Sequence, residues 1–147
     1  MEVTIYIETT LHGPAKRAGA GMWLIEYITP SGKEHTREGT IFRDEATENS
    51  MNLELLRIAL GRLTKSCSVR VNTRCEHILN SMGNHWVVQW EKAGWIKSNG
   101  KPVANAMLWQ QVYMLMKIHQ VTVVNENNSY LPAMKIEMGQ VLGNRSA

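Results

Sequence analysis

The chain has 147 residues, 44% hydrophobic and 20% charged, which suits one domain with one sizeable core. No apolar run is long enough to cross a bilayer, and the N-terminus lacks the basic-then-apolar pattern of a signal peptide. Two cysteines, Cys67 and Cys75, have no metal-ligand spacing, so the expectation is a reduced, cytoplasmic protein with no membrane partner. The net charge of +3 leans mildly toward an anionic partner such as nucleic acid, although many small basic proteins bind nothing anionic.

Val3, Ile5 and Ile7 alternate with Thr4, Tyr6 and Glu8, the period of two of a strand. "HGPAKRAGAG" turns, "MWLIEYIT" is a second strand, "PSG" is a tight turn and "KEHTREGTIF" a third strand. Residues 3–42 therefore read as an antiparallel meander. From Ala46 to Lys65 the period becomes helical. Met51, Leu55 and Ile58 lie beside Leu56, Leu60 and Leu63, and Glu54, Arg57, Gly61 and Lys65 form a polar stripe.

"SVRVNT" is a short strand, expected to lie parallel to the first through a right-handed crossover. "CEHILNSM", "NHWVVQWEKAGW" and "ANAMLWQQVYMLMKIH" are helices, with "SNGKPV" a loop between the last two. "QVTVVNE" is a last strand. A final helix is expected over Ala133 to Leu142, just after a proline, leaving "GNRSA" as a frayed tail. The sum, β-β-β-α-β-α-α-α-β-α, is an α/β domain over residues 1–142, with residues 143–147 as a tail.

The segment "HWVVQWEKAGWIKSNGKPVANAMLWQQV", residues 85–112, carries W-x-x-x-W-x-x-x-G-W, a short loop and K-P-V-x-N-x-x-L-W-Q. Trp86, Trp90, Gly94, Trp95, Lys101, Pro102, Val103, Asn105, Leu108, Trp109 and Gln110 all stand in register. On these residues the chain resembles ribonuclease H of the type that carries a basic handle, and the resemblance extends from about Val3 to about Val141. It implies a ribonuclease H-like fold, a five-stranded mixed sheet with helices on both faces. It also implies cleavage of the RNA strand of RNA–DNA hybrids by two divalent ions held on four carboxylates.

Carried over position by position, those carboxylates fare badly here. The first is Glu8, one methylene longer than the family's aspartate. The second, in "TENSMNLEL", falls on the neutral Asn52; Glu54 points about 200° away around the helix, and Glu48 lies one turn earlier on roughly the same face. The third, in "NTRCEHI", falls on Arg74, which has no lone pair for a metal. The fourth is Glu137 in a gap-free register and Lys135 in a helix-pattern register. The family's catalytic histidine has no match: neither His77 nor His119 lies in the right segment. The expectation is an ion pair between Arg74 and Glu8 in bidentate geometry, in the space a metal would take, with a solvent-directed Arg74 as the alternative.

Phosphate contacts need basic and polar side chains, not metal. The resemblance assigns them to Asn49 and Asn105, with Thr47 nearby, and to the handle's Lys92, Lys97 and Lys101. Glu91, Ala93 and Ala104 dilute its charge. Trp86, Trp90 and Trp109 are expected to pack, as is the methionine-rich run Met107–Met116, whereas Trp95 is the tryptophan expected at the surface near ligand. The resulting expectation is a ribonuclease H-like protein that has lost hydrolysis and binds RNA–DNA hybrid or double-stranded nucleic acid weakly, or a protein partner, with no cofactor. The alternative is an active hybrid ribonuclease using Glu8, Glu48 and Glu137 with magnesium or manganese.

Overall fold

The computed structural model describes residues 1–146. Five strands, β1 (Glu2–Thr9), β2 (Arg17–Ile28), β3 (Glu34–Ala46), β4 (Ser68–Asn72) and β5 (Gln120–Val124), form one sheet in the order β3-β2-β1-β4-β5. The first three pair antiparallel, and β4 and β5 extend the sheet parallel to β1. Parallel neighbours cannot be joined by a tight turn. The chain therefore crosses from β1–β3 to β4 through α1 (Glu48–Gly61), and from β4 to β5 through α2 (Glu76–Gly83), α3 (Trp86–Lys92) and α4 (Ala106–Met116). Helix α5 (Leu131–Ser146) closes the fold.

The strand alternation sorts side chains to two faces. Val3, Ile5 and Ile7 of β1, Trp23 and Ile25 of β2, and Val69 and Val71 of β4 bury against Met51, Leu55, Leu56 and Leu60 of α1. On the other face Ala20, Met22 and Leu24 of β2 bury against Met134 and Met138 of α5. The helices thus cover both faces, as the alternation and the resemblance imply. Among the described residues no helix is long and apolar enough to cross a membrane.

Two local features position the site. Thr47 opens α1 with a capping box: its hydroxyl accepts from the Ser50 amide, and the Ser50 hydroxyl accepts from the Thr47 amide, each at 3.0 Å. Gly21 pairs with Thr9 at the end of β1. A β-carbon there would stand 2.8 Å from Leu55 Cδ1 and 2.9 Å from Met51 Sδ, so its absence lets α1 lie close over β2. The first turns of α1 are thereby held beside the end of β1.

Several sequence expectations are corrected. Strands β2 and β3 start or run further than the hydrophobic windows suggest. Helix α5 begins at Leu131, so Pro132 sits in its first turn instead of preceding it, where a missing N–H costs nothing. The same helix continues through Gly143, Asn144 and Arg145 to Ser146, so these residues extend the helix and are not a separate tail; Ala147 lies outside the described residues. Of the methionines in the Met107–Met116 run only Met116 is buried, whereas Met107 and Met114 are 75% and 69% exposed, because the seven-residue spacing puts both on the outer face of α4.

Candidate functional site

The carboxylate ends of β1 and β4 lie side by side in the parallel pair, and the site is built there. Glu8 is buried at 6% exposure near the end of β1. Arg74 follows β4 by two residues and reaches back to it: Nε and a terminal guanidinium nitrogen donate to Glu8 Oε1 at 3.1 and 2.7 Å. The expected ion pair therefore forms, but both nitrogens converge on one oxygen in place of a two-by-two fork. The reason is Asn128, whose Nδ2 donates to the other oxygen, Oε2, at 3.1 Å. Asn128 itself is fixed in the loop after β5 by its Oδ1, which accepts from the Tyr130 amide at 2.9 Å. Sequence reasoning missed this residue.

Asn52 occupies the position on α1 facing the pair. It is almost fully buried, and its Nδ2 donates to the Glu48 carbonyl one turn back at 2.9 Å. Glu48 lines the same small cavity as Glu8, Asn52 and Arg74, but its Oε1 accepts from the Gly13 amide at 2.9 Å and so ties the β1–β2 loop to the helix. Glu54, as expected, points elsewhere and pairs with Arg43. At the fourth position the structure separates the two registers. Lys135 lines a cavity with Thr9, Thr10, His12 and Arg74, whereas Glu137 is exposed and lines none of the cavities around Glu8. Met134 and Met138 set the buried face of α5, and Lys135 and Glu137 stand about 80° to either side of it, so that pair alone does not tell them apart.

This donor set does not fit two divalent ions. Magnesium asks for an octahedron of oxygen ligands drawn largely from carboxylates and water. Here both oxygens of Glu8 already accept hydrogen bonds, Asn52 is neutral, and Arg74 brings positive charge to the same place, with Lys135 in the cavity beside it. Among the described residues, no three His, Cys, Asp or Glu side chains are grouped to hold a metal.

The nucleic-acid candidates differ in freedom. Thr47 is committed to the helix cap. Asn49 lines a cavity with Glu48, Arg74, Glu76, His77 and Asn80, and its Oδ1 accepts from the Cys75 thiol at 3.6 Å. Burial raises the pKa of that thiol. Asn105 takes a left-handed conformation, φ 57°, as the N-cap of α4, with no side-chain cap bond. Lys92 ends α3 and is exposed. Lys97 and Lys101 are exposed on a small hairpin closed by the Ile96–Pro102 bridge and the Lys97 amide donating to the Lys101 carbonyl at 2.8 Å.

The tryptophans divide differently from expectation. Trp109 is fully buried, with Trp90 edge-on at 5.9 Å. Trp86, expected to pack, is 41% exposed because it opens a seven-residue helix whose buried side is carried by Val87. Trp95, expected at the surface, is half-buried edge-on to Tyr113 at 6.3 Å, with φ 64° imposed by the sharp turn after Gly94. His77 bridges this cluster to the site: the Trp109 indole donates to its Nε2 at 3.0 Å, and burial lowers its pKa.

The comparisons with known proteins agree with this architecture. A family model for RNase H matches residues 1–125. A ribonuclease H of Lachnoclostridium phytofermentans is 31% identical over 122 residues, covering 83% of this chain and 77% of that protein. Among solved structures, LC9-RNase H1, described as a type 1 RNase H with the type 2 active-site motif, superposes with a TM-score of 0.74 at 22% identity, over 95% of this chain and 69% of that one. A foamy viral protease–reverse transcriptase in complex with RNA/DNA hybrid superposes with a TM-score of 0.70 at 11% identity, over 92% of this chain and 18% of that one. The family match across most of the chain, with a relative of this identity, leads to one conclusion: the chain belongs to the ribonuclease H family.

Proposed function

We propose that this chain is a nucleic-acid-binding member of its family that does not hydrolyse RNA by the two-metal route. One observation carries the reading. The surviving carboxylate, Glu8, is saturated by the chain's own donors, with Arg74 on one oxygen and Asn128 on the other. A permanent cation in the pocket repels the dications that hydrolysis needs, and the pocket's other carboxylate, Glu48, is engaged by the Gly13 amide.

Binding rests on other residues. Lys92, Lys97 and Lys101 are exposed on the handle and form no ion pair among the described residues, whereas Glu91 is taken by Lys117 and so competes less for them. The foamy viral protein of the same fold was solved with an RNA/DNA hybrid, which supports hybrid as the ligand to try first. A protein partner is the second reading, and the exposed Met107 and Met114 on α4, with Ile118 just after it, favour it. The two free cysteines, both buried, suit a reducing compartment such as the cytoplasm.

The test is a titration of labelled RNA–DNA hybrid at several salt concentrations, followed by a cleavage assay in magnesium and in manganese. The expected result is binding at about micromolar affinity at low salt, weakening steeply as salt rises, with no cleavage. Magnesium-dependent turnover abolished by Glu8→Ala would overturn the proposal in favour of the rearranged site, although Glu137 stands away from that pocket. Salt-insensitive failure to bind would favour the protein partner.

A further inference from the structure

The replacements that close the pocket to cations also change what it attracts. Beside the Glu8–Arg74 pair lies a separate cavity of about 270 Å³, bounded by Thr9 and Thr10 at the end of β1, His12 in the following loop, Arg74, and Lys135, Met138 and Gly139 of α5. No aspartate or glutamate lines it. Lys135 has no carboxylate partner among the described residues. Arg74 spends Nε and one terminal nitrogen on Glu8, so its remaining terminal nitrogen is uncommitted, and its side chain is 54% exposed. The pair with Glu8 holds the guanidinium in place. Its free nitrogen is thereby aimed from a fixed position, and guanidinium N–H groups donate charge-assisted hydrogen bonds to phosphate oxygens.

The threonine hydroxyls are not spare. Thr9 Oγ1 donates to the Ala20 carbonyl at 2.9 Å, and Thr10 Oγ1 accepts from the Ala20 amide at 3.0 Å. They pin the rim, and the cations do the attracting. Gly139 keeps the mouth open: a β-carbon there would meet nothing within 4 Å, so the space over α5 is unfilled.

We infer that this cavity is a phosphate-binding pocket, with Arg74 and Lys135 as its charged walls and His12 as a further donor. The inference deepens the proposed function, because it rests on the chain binding nucleic acid and adds where one phosphate sits. The phosphate comes either from the internal backbone or from a 5′-phosphorylated end.

The experiment follows backbone amide and Arg74 Nε resonances of the full chain while inorganic phosphate is added. It then compares hybrids with and without a 5′-phosphate. Phosphate is expected to shift Thr10, Gly139 and Arg74 Nε first. Lys135→Gln is expected to weaken phosphate binding about tenfold, the loss of one charge-assisted hydrogen bond, and Lys135→Arg to restore it. Since Lys135 is exposed, neither change threatens the fold, and Arg74 need not be touched. A preference for the 5′-phosphorylated hybrid that disappears in Lys135→Gln assigns the site to ends; equal affinities that fall together in Lys135→Gln assign it to the backbone. Shifts confined to the Lys97–Lys101 hairpin, or unchanged phosphate affinity in Lys135→Gln, overturn the inference. If hybrid binds while the pocket stays silent, only this inference fails. If phosphate enters the pocket but no hybrid binds, the proposed function fails and the pocket stands.

Discussion

Beside the ends of β1 and β4 stand Glu8, Asn52, Arg74 and Asn128, a few polar side chains set over regularly paired strands. In the segment from His85 to Val112 the residues of the family motif persist, yet its tryptophans are spent largely on packing: Trp109 is fully buried and Trp90 and Trp95 are half-buried. The first region shows that the charge of a site is set by few polar positions, apart from the apolar packing that holds the sheet. The second shows that a motif can be retained because it packs. A strong family motif is therefore evidence about the core, and it says little about the reaction unless the polar positions agree with it.

The largest expected effect falls on the packing side. Trp109→Ala removes the largest fully buried side chain and leaves the His77 Nε2 acceptor and the Trp90 ring without their neighbour. The expected loss is about 3–5 kcal/mol of stability, read from urea unfolding. A loss under about 1 kcal/mol would mean that the motif is not held by packing, and the contrast between the regions would collapse.

The next effect tests the centre. Arg74→Ala strips the cation from a carboxylate that is almost fully buried, leaving Asn128 as its one donor. Breaking a buried pair by removing one partner costs about 3–5 kcal/mol, but Arg74 is half exposed, so about 1–3 kcal/mol is expected here. Adding Glu8→Gln to Arg74→Ala should recover more than half of that loss, since it removes the uncompensated charge. Chemical denaturation of the two single variants and the double variant measures the coupling. Additive losses would show that Arg74 and Glu8 merely sit near each other.

Much of this was legible in the residues themselves. The strand alternation from Val3 to Glu8, the helical period from Met51 to Leu60 and the order of elements follow from local patterning, whereas the Arg74–Glu8 pair came from the family resemblance, which puts the two positions face to face. Asn128 was not legible, because its contact with Glu8 spans 120 residues and depends on how a polar loop folds back after β5. The division among Trp86, Trp90 and Trp95 was not legible either. A seven-residue helix makes barely two turns, too few to define a buried face, and the left-handed turn at Gly94 and Trp95 redirects the next side chain inward. Which of Lys135 and Glu137 lines the cavity beside Arg74 was not legible from the Met134–Met138 pair, because the two residues lie about 80° to either side of it.

The smallest expected effect lies where the two regions meet. His77 lines the cavity that also contains Arg74, Glu48, Glu76, Asn49 and Asn80, while its Nε2 accepts the buried Trp109 indole and its ring stacks on Trp90 at 6.3 Å. Only a neutral imidazole has a nitrogen that can accept. Burial lowers the His77 pKa from its ordinary 6.5, and also that of His119, whose Nδ1 accepts from the Cys67 amide at 3.0 Å. A histidine whose folded pKa lies below its unfolded one takes up protons more readily in the unfolded chain. Its contribution to stability is therefore complete above about pH 6.5 and is lost as the pH falls through the folded value. Between pH 7 and pH 5.5 the wild-type chain should lose on the order of 1 kcal/mol, the scale of one neutral hydrogen bond. His77→Gln, which cannot titrate, should show a shallower dependence and leave the share due to His119. The nearby acids set the sign at risk: Glu76 and Glu48 favour the charged imidazole and Arg74 opposes it, so a wild-type stability that rises toward pH 5.5 would mean that the carboxylates, and not burial beneath the tryptophans, govern His77.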